Sequence, residues 1–157
     1  KTIGWCDATA HAEIVAIRLE KVDRGAEDDV DELFRGGERV RVVVRAKAHQ
    51  PMGKPILGFL IRDRLGQDLL GENTIPFTQD HAVSIHAGQE FEGEFVFRLP
   101  MLPNGDYAVM TSVAEGERHD NIQHHYMHDA LILHVVSSKV RYGLVGVPFE
   151  QVMLKTL

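Results

Sequence analysis

The sequence predicts an all-β protein, an immunoglobulin-like antiparallel β-sandwich. Three observations lead to this fold class. Apolar and polar residues alternate with a period of two in at least six short segments. Residues that favour turns, chiefly Gly, Pro, Asn and Asp, separate these segments. No segment carries apolar residues at the spacing of an amphipathic helix, and one short helical turn within residues 26–35 is the most that we expect.

The predicted strands follow one another along the chain. In each strand alternate side chains point to opposite faces of the sheet, so the apolar members share one face. The segment from 39 to 49 is the most regular, because charged residues occupy nearly every second position. The apolar faces, in chain order, are Val15, Ile17 and Leu19; Val40, Val42, Val44, Ala46 and Ala48; Leu57, Phe59 and Ile61; Phe91, Gly93, Phe95, Phe97 and Leu99; Tyr107, Val109, Thr111 and Val113; and Leu131, Leu133 and Val135.

A proline-rich corner precedes the strand that begins near Tyr107. The chain reads Leu-Pro-Met-Leu-Pro-Asn-Gly-Asp-Tyr over residues 99–107. In immunoglobulin-like sandwiches a Tyr at such a corner ties the connection to the following strand. Tyr107 is either this corner residue or an ordinary core tyrosine.

Composition limits the classes of protein that the chain can belong to. With 157 residues, of which 44% are apolar, the chain is expected to form a single domain spanning residues 1–157. It contains no apolar segment of ~18 residues that could span a membrane. The formal net charge of -6 argues against duplex nucleic acid as a partner. The single cysteine, Cys6, cannot form an internal disulfide and indicates a reducing compartment.

Motifs for catalysis and for cofactor binding are absent from the sequence. It contains no Gly-x-x-x-x-Gly-Lys loop, no Gly-x-Gly-x-x-Gly loop and no Gly-x-Ser-x-Gly nucleophile elbow. No pair of carboxylates stands out for glycoside cleavage, although such pairs are defined in space rather than in sequence. We therefore expect a chain without catalytic residues, metal or cofactor.

A histidine-rich stretch is the main candidate for binding. Five histidines fall between residues 119 and 134. In an extended chain His124, Tyr126 and His128 share a side while His125 points away. The spacing fits no zinc motif, so a metal site is disfavoured. Aromatic faces and imidazole edges suit sugars, and we interpret this stretch as a binding loop between two strands. A solvated polar loop is the alternative.

Three segments carry a resemblance to a known family. Residues 56–74 read Ile-Leu-Gly-Phe-Leu-Ile-Arg-Asp and close on Gly-Glu-Asn-Thr; residues 95–107 and 129–135 follow in the same order. This pattern resembles the C-terminal domain of Wzt, the ATP-binding subunit of ABC exporters for O-antigen polysaccharides. The resemblance covers most of residues 10–147. Its motifs consist mainly of turn and core residues.

The resemblance implies a function and a location. It implies a β-sandwich that recognises the non-reducing end of a finished polysaccharide at the cytoplasmic face of the inner membrane. The implied partner is the transmembrane subunit of the exporter. ATP hydrolysis would then reside in a nucleotide-binding domain outside this chain, with residues 1–10 as a linker from it. The implied assembly is a homodimer in which a C-terminal strand, residues 140–147, is exchanged.

The predicted sheet also suggests a place for the ligand. Segments 56–63, 107–114 and 130–136 are expected to lie together, with loops 49–55 and 115–129 at one end. Apolar outward positions on neighbouring strands indicate a face that a ligand or a dimer partner covers. Because the resemblance implies that the terminal groups of such glycans are often acidic, Arg62 is expected to grip an acidic terminal group, with Tyr126 stacking on the sugar and His128 supplying a hydrogen bond. The candidate ligand-binding residues are Arg62, Ser112, His124, Tyr126, His128 and His134. A pure dimerisation module and a glycan-modifying enzyme are the alternatives.

Overall fold

The computed structural model describes residues 4–6, 10–23 and 33–156. Within these residues the chain forms nine strands and one helical turn. The elements are β1 (Gly4–Cys6), β2 (Ala12–Lys21), β3 (Leu33–Phe34), β4 (Arg39–Ala48), β5 (Pro55–Arg62), β6 (Asp68–Asn73), α1 (Ile75–Thr78), β7 (Glu90–Arg98), β8 (Gly105–Glu117) and β9 (Asp120–Val135).

Two sheets pack face to face, which confirms the predicted sandwich. The larger sheet has the strand order β1-β9-β8-β5-β6, and β3 pairs with β9 at its end. The smaller sheet has the order β2-β4-β7. All of these pairs are antiparallel except β3 with β9, which is parallel. No helix among the described residues is long and apolar enough to cross a membrane.

The core lies between the sheets and follows the predicted alternation. Val40, Val42 and Val44 of β4 are completely buried. Phe59 of β5 packs against Phe95 of β7 across the sandwich, with ring centroids 4.9 Å apart. The opposite face of the smaller sheet carries ion pairs between neighbouring strands, which keep it polar. Burial of this apolar layer is the main driving force for the fold.

The corner before β8 has the geometry expected from the sequence. The Tyr107 hydroxyl donates a hydrogen bond to the carbonyl of Pro103, four residues upstream, at 2.7 Å. Tyr107 is 6% exposed, so this bond is shielded from water. Burial raises the pKa of Tyr107, with a smaller contribution from the Asp63 carboxylate. Tyr107 therefore ties the turn at residues 103–106 to the strand that follows it.

The predicted binding loop at 115–129 is wrong, because this segment is a hairpin. β8 continues to Glu117 and β9 begins at Asp120, so only a tight turn separates them. The strand is hard to recognise in the sequence because polar residues occupy both of its faces from 120 to 129. Tyr126 and His128 consequently sit on a strand within the sheet rather than on a loop above it.

Expectations from the sequence also concern three other parts of the chain. Residues 140–147 form no strand and make one isolated bridge, between Met101 and Gly146. Gly143 within this segment has a φ of 83°, which interrupts an extended conformation. Residues 4–6, assigned above to a linker, form β1 against β9. The helical turn occurs at Ile75–Thr78, whereas residues 26–32 lie outside the described part of the chain.

Candidate functional site

A groove crosses the outer face of the larger sheet. It consists of two contiguous cavities of about 350 Å³ and 450 Å³, both of which are lined by Met110 of β8. Met110 is 1% exposed and follows Val109 of the core, so it forms the floor. Leu60, Asn73, Ser112 and Tyr126 line the smaller half of this outer groove. Arg62, Asp106, His128 and Ile132 are among the residues that line the larger half.

An irregularity in β9 shapes the larger half of the outer groove. Val109 pairs with Leu131 and Thr111 pairs with Met127. One residue of β8, Met110, therefore faces the three residues 128–130 of β9. Such a bulge bends its strand and re-aims the side chains that it carries. Here His128 and the residue after it line the groove, while Met110 lies beneath them.

Four of the predicted site residues meet in the outer groove. Tyr126 and His128 are in edge-to-face contact, with ring centroids 4.7 Å apart and an interplanar angle of 75°. The Tyr126 hydroxyl lies 3.6 Å from Met110 Sδ. Ser112 is the cross-strand neighbour of Tyr126. Arg62 lies on β5, and its Nε donates a hydrogen bond to Asp68 of the neighbouring strand β6. This bond raises the pKa of Arg62, and Tyr126 adds to the increase.

His134 lies at the margin of the groove and does not line either cavity. Its Nδ1 is 2.6 Å from Asp106 Oδ1, and Asp106 is a lining residue. His134 can therefore position a groove residue without itself facing the groove. The structure does not bring it together with Arg62, Tyr126 and His128.

His124 lies away from the groove, contrary to the shared side expected with Tyr126 and His128. Val113 pairs with His125 and Ala114 with Gln123, so His124 is an extra residue in β9. This bulge removes it from the strand's alternation, and its side chain is 5% exposed. His124 Nδ1 accepts a hydrogen bond from the backbone N–H of His11 at 3.2 Å.

His124 forms a cluster with two residues whose types suit a metal. Glu115 Oε1 lies 3.1 Å from His11 Nδ1 and 3.4 Å from His124 Nε2. However, an Nδ1 that accepts a hydrogen bond must hold a lone pair, so the neutral imidazole of His124 carries its proton on Nε2. A protonated Nε2 donates to the carboxylate and cannot ligate a metal. The geometry is thus that of a hydrogen-bonded cluster around Glu115.

The groove also contains residues that the sequence analysis treated only as turn or core residues. Asn73 belongs to the Gly-Glu-Asn-Thr close and lines the smaller half. Its Oδ1 accepts a hydrogen bond from the N–H of Ile75 at 2.9 Å, which fixes the start of α1. Thr74 Oγ1 accepts a hydrogen bond from the N–H of Leu57 at 3.1 Å. The motif therefore has a structural role, and its position next to the groove depends on the pairing of β5 with β6.

Fold and site together define a β-sandwich domain with a polar groove on the outer face of one sheet. The chain belongs to the Wzt C-terminal domain family, whose model matches residues 7–147. This match confirms the resemblance stated from the sequence. No curated protein matches the sequence.

Solved structures support the same fold. A crystal structure of the C-terminal domain of wzt is similar with a TM-score of 0.81 and 18% identity, over 98% of this chain and 89% of that chain. A Niemann-Pick type C2 protein from Japanese carpenter ant is more distant, with a TM-score of 0.53 and 9% identity, over 83% of this chain and 97% of that chain. At these identities the likeness concerns the fold alone.

Proposed function

We propose that this domain is a non-catalytic carbohydrate-binding module that recognises the non-reducing terminus of an O-antigen polysaccharide for export by an ABC transporter. Membership of the Wzt C-terminal domain family supports the transporter context. In this proposal ATP hydrolysis belongs to a nucleotide-binding domain outside the 157 residues. The module acts at the cytoplasmic face of the inner membrane, with the transmembrane subunit of the exporter as its partner, and requires no cofactor.

The observation that carries the proposal is the aromatic pair in the outer groove. Tyr126 and His128 present an apolar ring face and polar edges in the same cavity system. The C–H face of a pyranose stacks on such rings, and its hydroxyls bond to imidazole and hydroxyl groups. Ser112 and Asn73 add hydrogen-bonding groups on the two flanking strands.

The test is titration of the purified domain with the polysaccharide and with the same polymer lacking its terminal residue. Only the intact terminus is expected to bind. Tyr126→Ala should weaken binding by about thirty-fold, or roughly 2 kcal/mol, if the ring is a central contact. Phe77→Ala is the matched control, because Phe77 is an exposed aromatic outside both the groove and the C-terminal tail. Equal binding of both polymers would contradict recognition of the end.

A dimerisation module is the second candidate, and the C-terminal tail favours it. Eight large apolar residues in the tail are exposed in the single chain. Soluble proteins seldom leave such a continuous apolar surface uncovered. We propose that a second copy of the chain covers the tail in a homodimer. Dimerisation and glycan binding use different surfaces, so the two functions are compatible. The exposed tail residues are Tyr142, Leu144, Val145, Val147, Phe149, Val152, Met153 and Leu154.

A further inference from the structure

Arg62, the cation expected to grip an acidic sugar, already has a carboxylate partner. Arg62 of β5 and Asp68 of β6 are paired across neighbouring strands, and Arg62 Nε donates to Asp68 Oδ1. The Arg62 side chain is 31% exposed, so it is held against the sheet rather than extended into solvent. A guanidinium in this state offers an acidic ligand little net charge. Because Nε is occupied by Asp68, a two-pronged grip on an anion through the Nε edge would require Asp68 to be displaced, and an end-on grip through the two Nη groups would place the anion next to the Asp68 carboxylate.

Carboxylates outnumber cations along the rest of the groove. Arg64 is the other cation among the lining residues, whereas Glu72, Asp63, Asp106 and Asp129 also line it. Asp63 Oδ1 accepts the N–H groups of residues 65 and 67 at 2.9 Å each, which holds this carboxyl group in the turn beside the groove. The field in the groove is therefore negative, and a ligand carboxylate or phosphate would be repelled.

The centre of the groove is apolar and has no charged group. Met110 forms the floor, Leu60 lies beside it, and the half-exposed Ile132 stands at the margin. Gly58 leaves space between two neighbouring side chains: a Cβ at this position would lie 3.4 Å from Asn73 Cβ and 3.7 Å from Ser112 Oγ. An uncharged sugar ring fits this centre. Its C–H groups can pack on the apolar floor, and its hydroxyls can bond to the Asn73 amide and the Ser112 hydroxyl.

We infer that the outer groove selects an uncharged terminal sugar and discriminates against termini that bear a carboxylate or a phosphate. The inference rests on the proposed function, since it specifies the ligand of the same site. It reverses the acidic terminus expected from the sequence. The Arg62–Asp68 pair acts here as a specificity determinant: it presents hydrogen-bonding edges while cancelling the positive charge.

The experiment uses matched trisaccharides of glucose, galactose and mannose that end in the neutral hexose, the hexuronic acid or the hexose 6-phosphate. Binding to the full 157-residue chain is measured by calorimetry and by the NMR signal of the Arg62 side-chain N–H. Neutral members should bind at least about tenfold tighter than their acidic counterparts. Higher salt should narrow this difference, because it screens the repulsion.

Asp68→Asn provides the decisive variant, because it frees the Arg62 charge while changing an exposed ion pair that contributes little to stability. It should raise affinity for the acidic members by about tenfold and leave the neutral members nearly unchanged. Glu92→Gln is the matched control. It releases Arg45 in the same way, from a 2.7 Å contact, on the other sheet. This control should leave the preference unaltered.

The outcomes separate this inference from the proposed function. Preference for neutral members, reduced by Asp68→Asn, supports both. Tighter binding of acidic members by the unaltered chain overturns the inference and leaves glycan binding standing. A preference that Asp68→Asn and Glu92→Gln change equally overturns the role of the Arg62–Asp68 pair. Failure of every trisaccharide and of the terminated polysaccharide to bind overturns both proposals.

Discussion

Two adjacent histidines connect the sheets through their ring nitrogens. His124 Nδ1 accepts the N–H of His11, and His125 Nδ1 accepts the N–H of Ile14 at 2.8 Å. These bonds reach from β9 in the larger sheet to the beginning of β2 in the smaller one. A protonated imidazole has no lone pair on Nδ1, so both contacts require the neutral ring. The two imidazoles thus accept hydrogen bonds from backbone N–H groups that have no partner on a neighbouring strand.

Stability is expected to fall in mild acid because of His125. Burial lowers its pKa, and the Glu13 carboxylate only partly opposes this. The unfolded chain therefore takes up the proton first. The stabilising contribution is complete above about pH 6.5, the ordinary histidine pKa, and is lost as the pH falls towards the lower pKa of the folded state. The measurement is the free energy of unfolding by urea between pH 8 and pH 5.

His125→Asn separates the proton from the hydrogen bond. An Asn oxygen can accept the N–H of Ile14 but does not titrate in this range. The dependence on pH should be shallower in this variant, whereas His125→Ala should cost about 1–3 kcal/mol near neutral pH, because it leaves a buried amide without a partner, and this cost should shrink in acid, where the parent loses the same contact. His119→Asn, in the exposed β8–β9 turn, is the control. An unchanged slope in His125→Asn would exclude His125 as the source.

Tyr107 allows a second test at the scale of one atom. Tyr107→Phe removes only the hydroxyl that bonds to Pro103. It should lower the free energy of unfolding by about 0.5–1.5 kcal/mol, the net contribution of one such bond. Tyr126→Phe deletes the same atom from a residue whose hydroxyl lies 3.6 Å from Met110 Sδ, a weak acceptor, and it should have a smaller effect. If both variants unfold at the same urea concentration as the parent, the corner bond does not stabilise the domain.

At the scale of elements, β9 shows where sequence reasoning succeeds and where it stops. Its second half was predicted, because Leu131, Leu133 and Val135 alternate with outward residues. The first half of β9 was not predicted, because a buried histidine cannot be distinguished in the sequence from a polar loop residue. A bulge leaves no pattern of apolar residues in the sequence. The alternation of apolar and polar residues therefore predicts neither the burial of His124 nor the bulge at residues 128–130. Tyr126 nevertheless lies near Arg62, because it sits between the two bulges and pairs there with Ser112.

The close packing of β6 on β5 gives a prediction about a glycine. A Cβ at Gly71 would lie 2.5 Å from the carbonyl oxygen of Phe59 and 2.8 Å from Leu60 Cδ1. Because the oxygen is part of the backbone, Gly71→Ala must separate the two strands. It should destabilise the domain by about 1–3 kcal/mol, as measured by thermal and urea unfolding. Gly53→Ala, which meets nothing within 4 Å, is the control. Equal stability of the two variants would contradict the strand geometry.

At the scale of the molecule, the sandwich could be predicted because hydrophobic burial determines it. Alternation identifies which face of each strand is buried, and turn residues mark where strands end. The groove could not be predicted, because it depends on the register between several strands, which the sequence of a single strand does not determine. The tail was predicted as a strand because it is apolar. In the single chain it has no sheet to join, and a cavity of about 1080 Å³ remains between it and Met101.

The exposed tail predicts concentration-dependent assembly. Deletion of residues 139–157 should convert a homodimer into a monomer, as measured by light scattering or sedimentation. Leu144→Asp should weaken the dimer, because it places a charge in the proposed interface. Ile122→Asp is the control, since Ile122 is similarly exposed but lies at the distant tip of the β8–β9 hairpin. A monomeric parent chain, or a truncated chain of unchanged assembly state, would rule out the tail as the interface.

The neighbouring residues His125 and Tyr126 of β9 point in opposite directions, and this affects how the groove binds a ligand. Tyr126 forms part of the groove, while His125, the residue before it, reaches inward to the amide of Ile14. A shift of the Tyr126 backbone would lengthen the hydrogen bond from the Ile14 N–H to His125 Nδ1. The Tyr126 side of the groove is therefore preorganised, and sugar binding has to order few further protein groups. Crystals grown with and without glycan should therefore show Tyr126 in the same position.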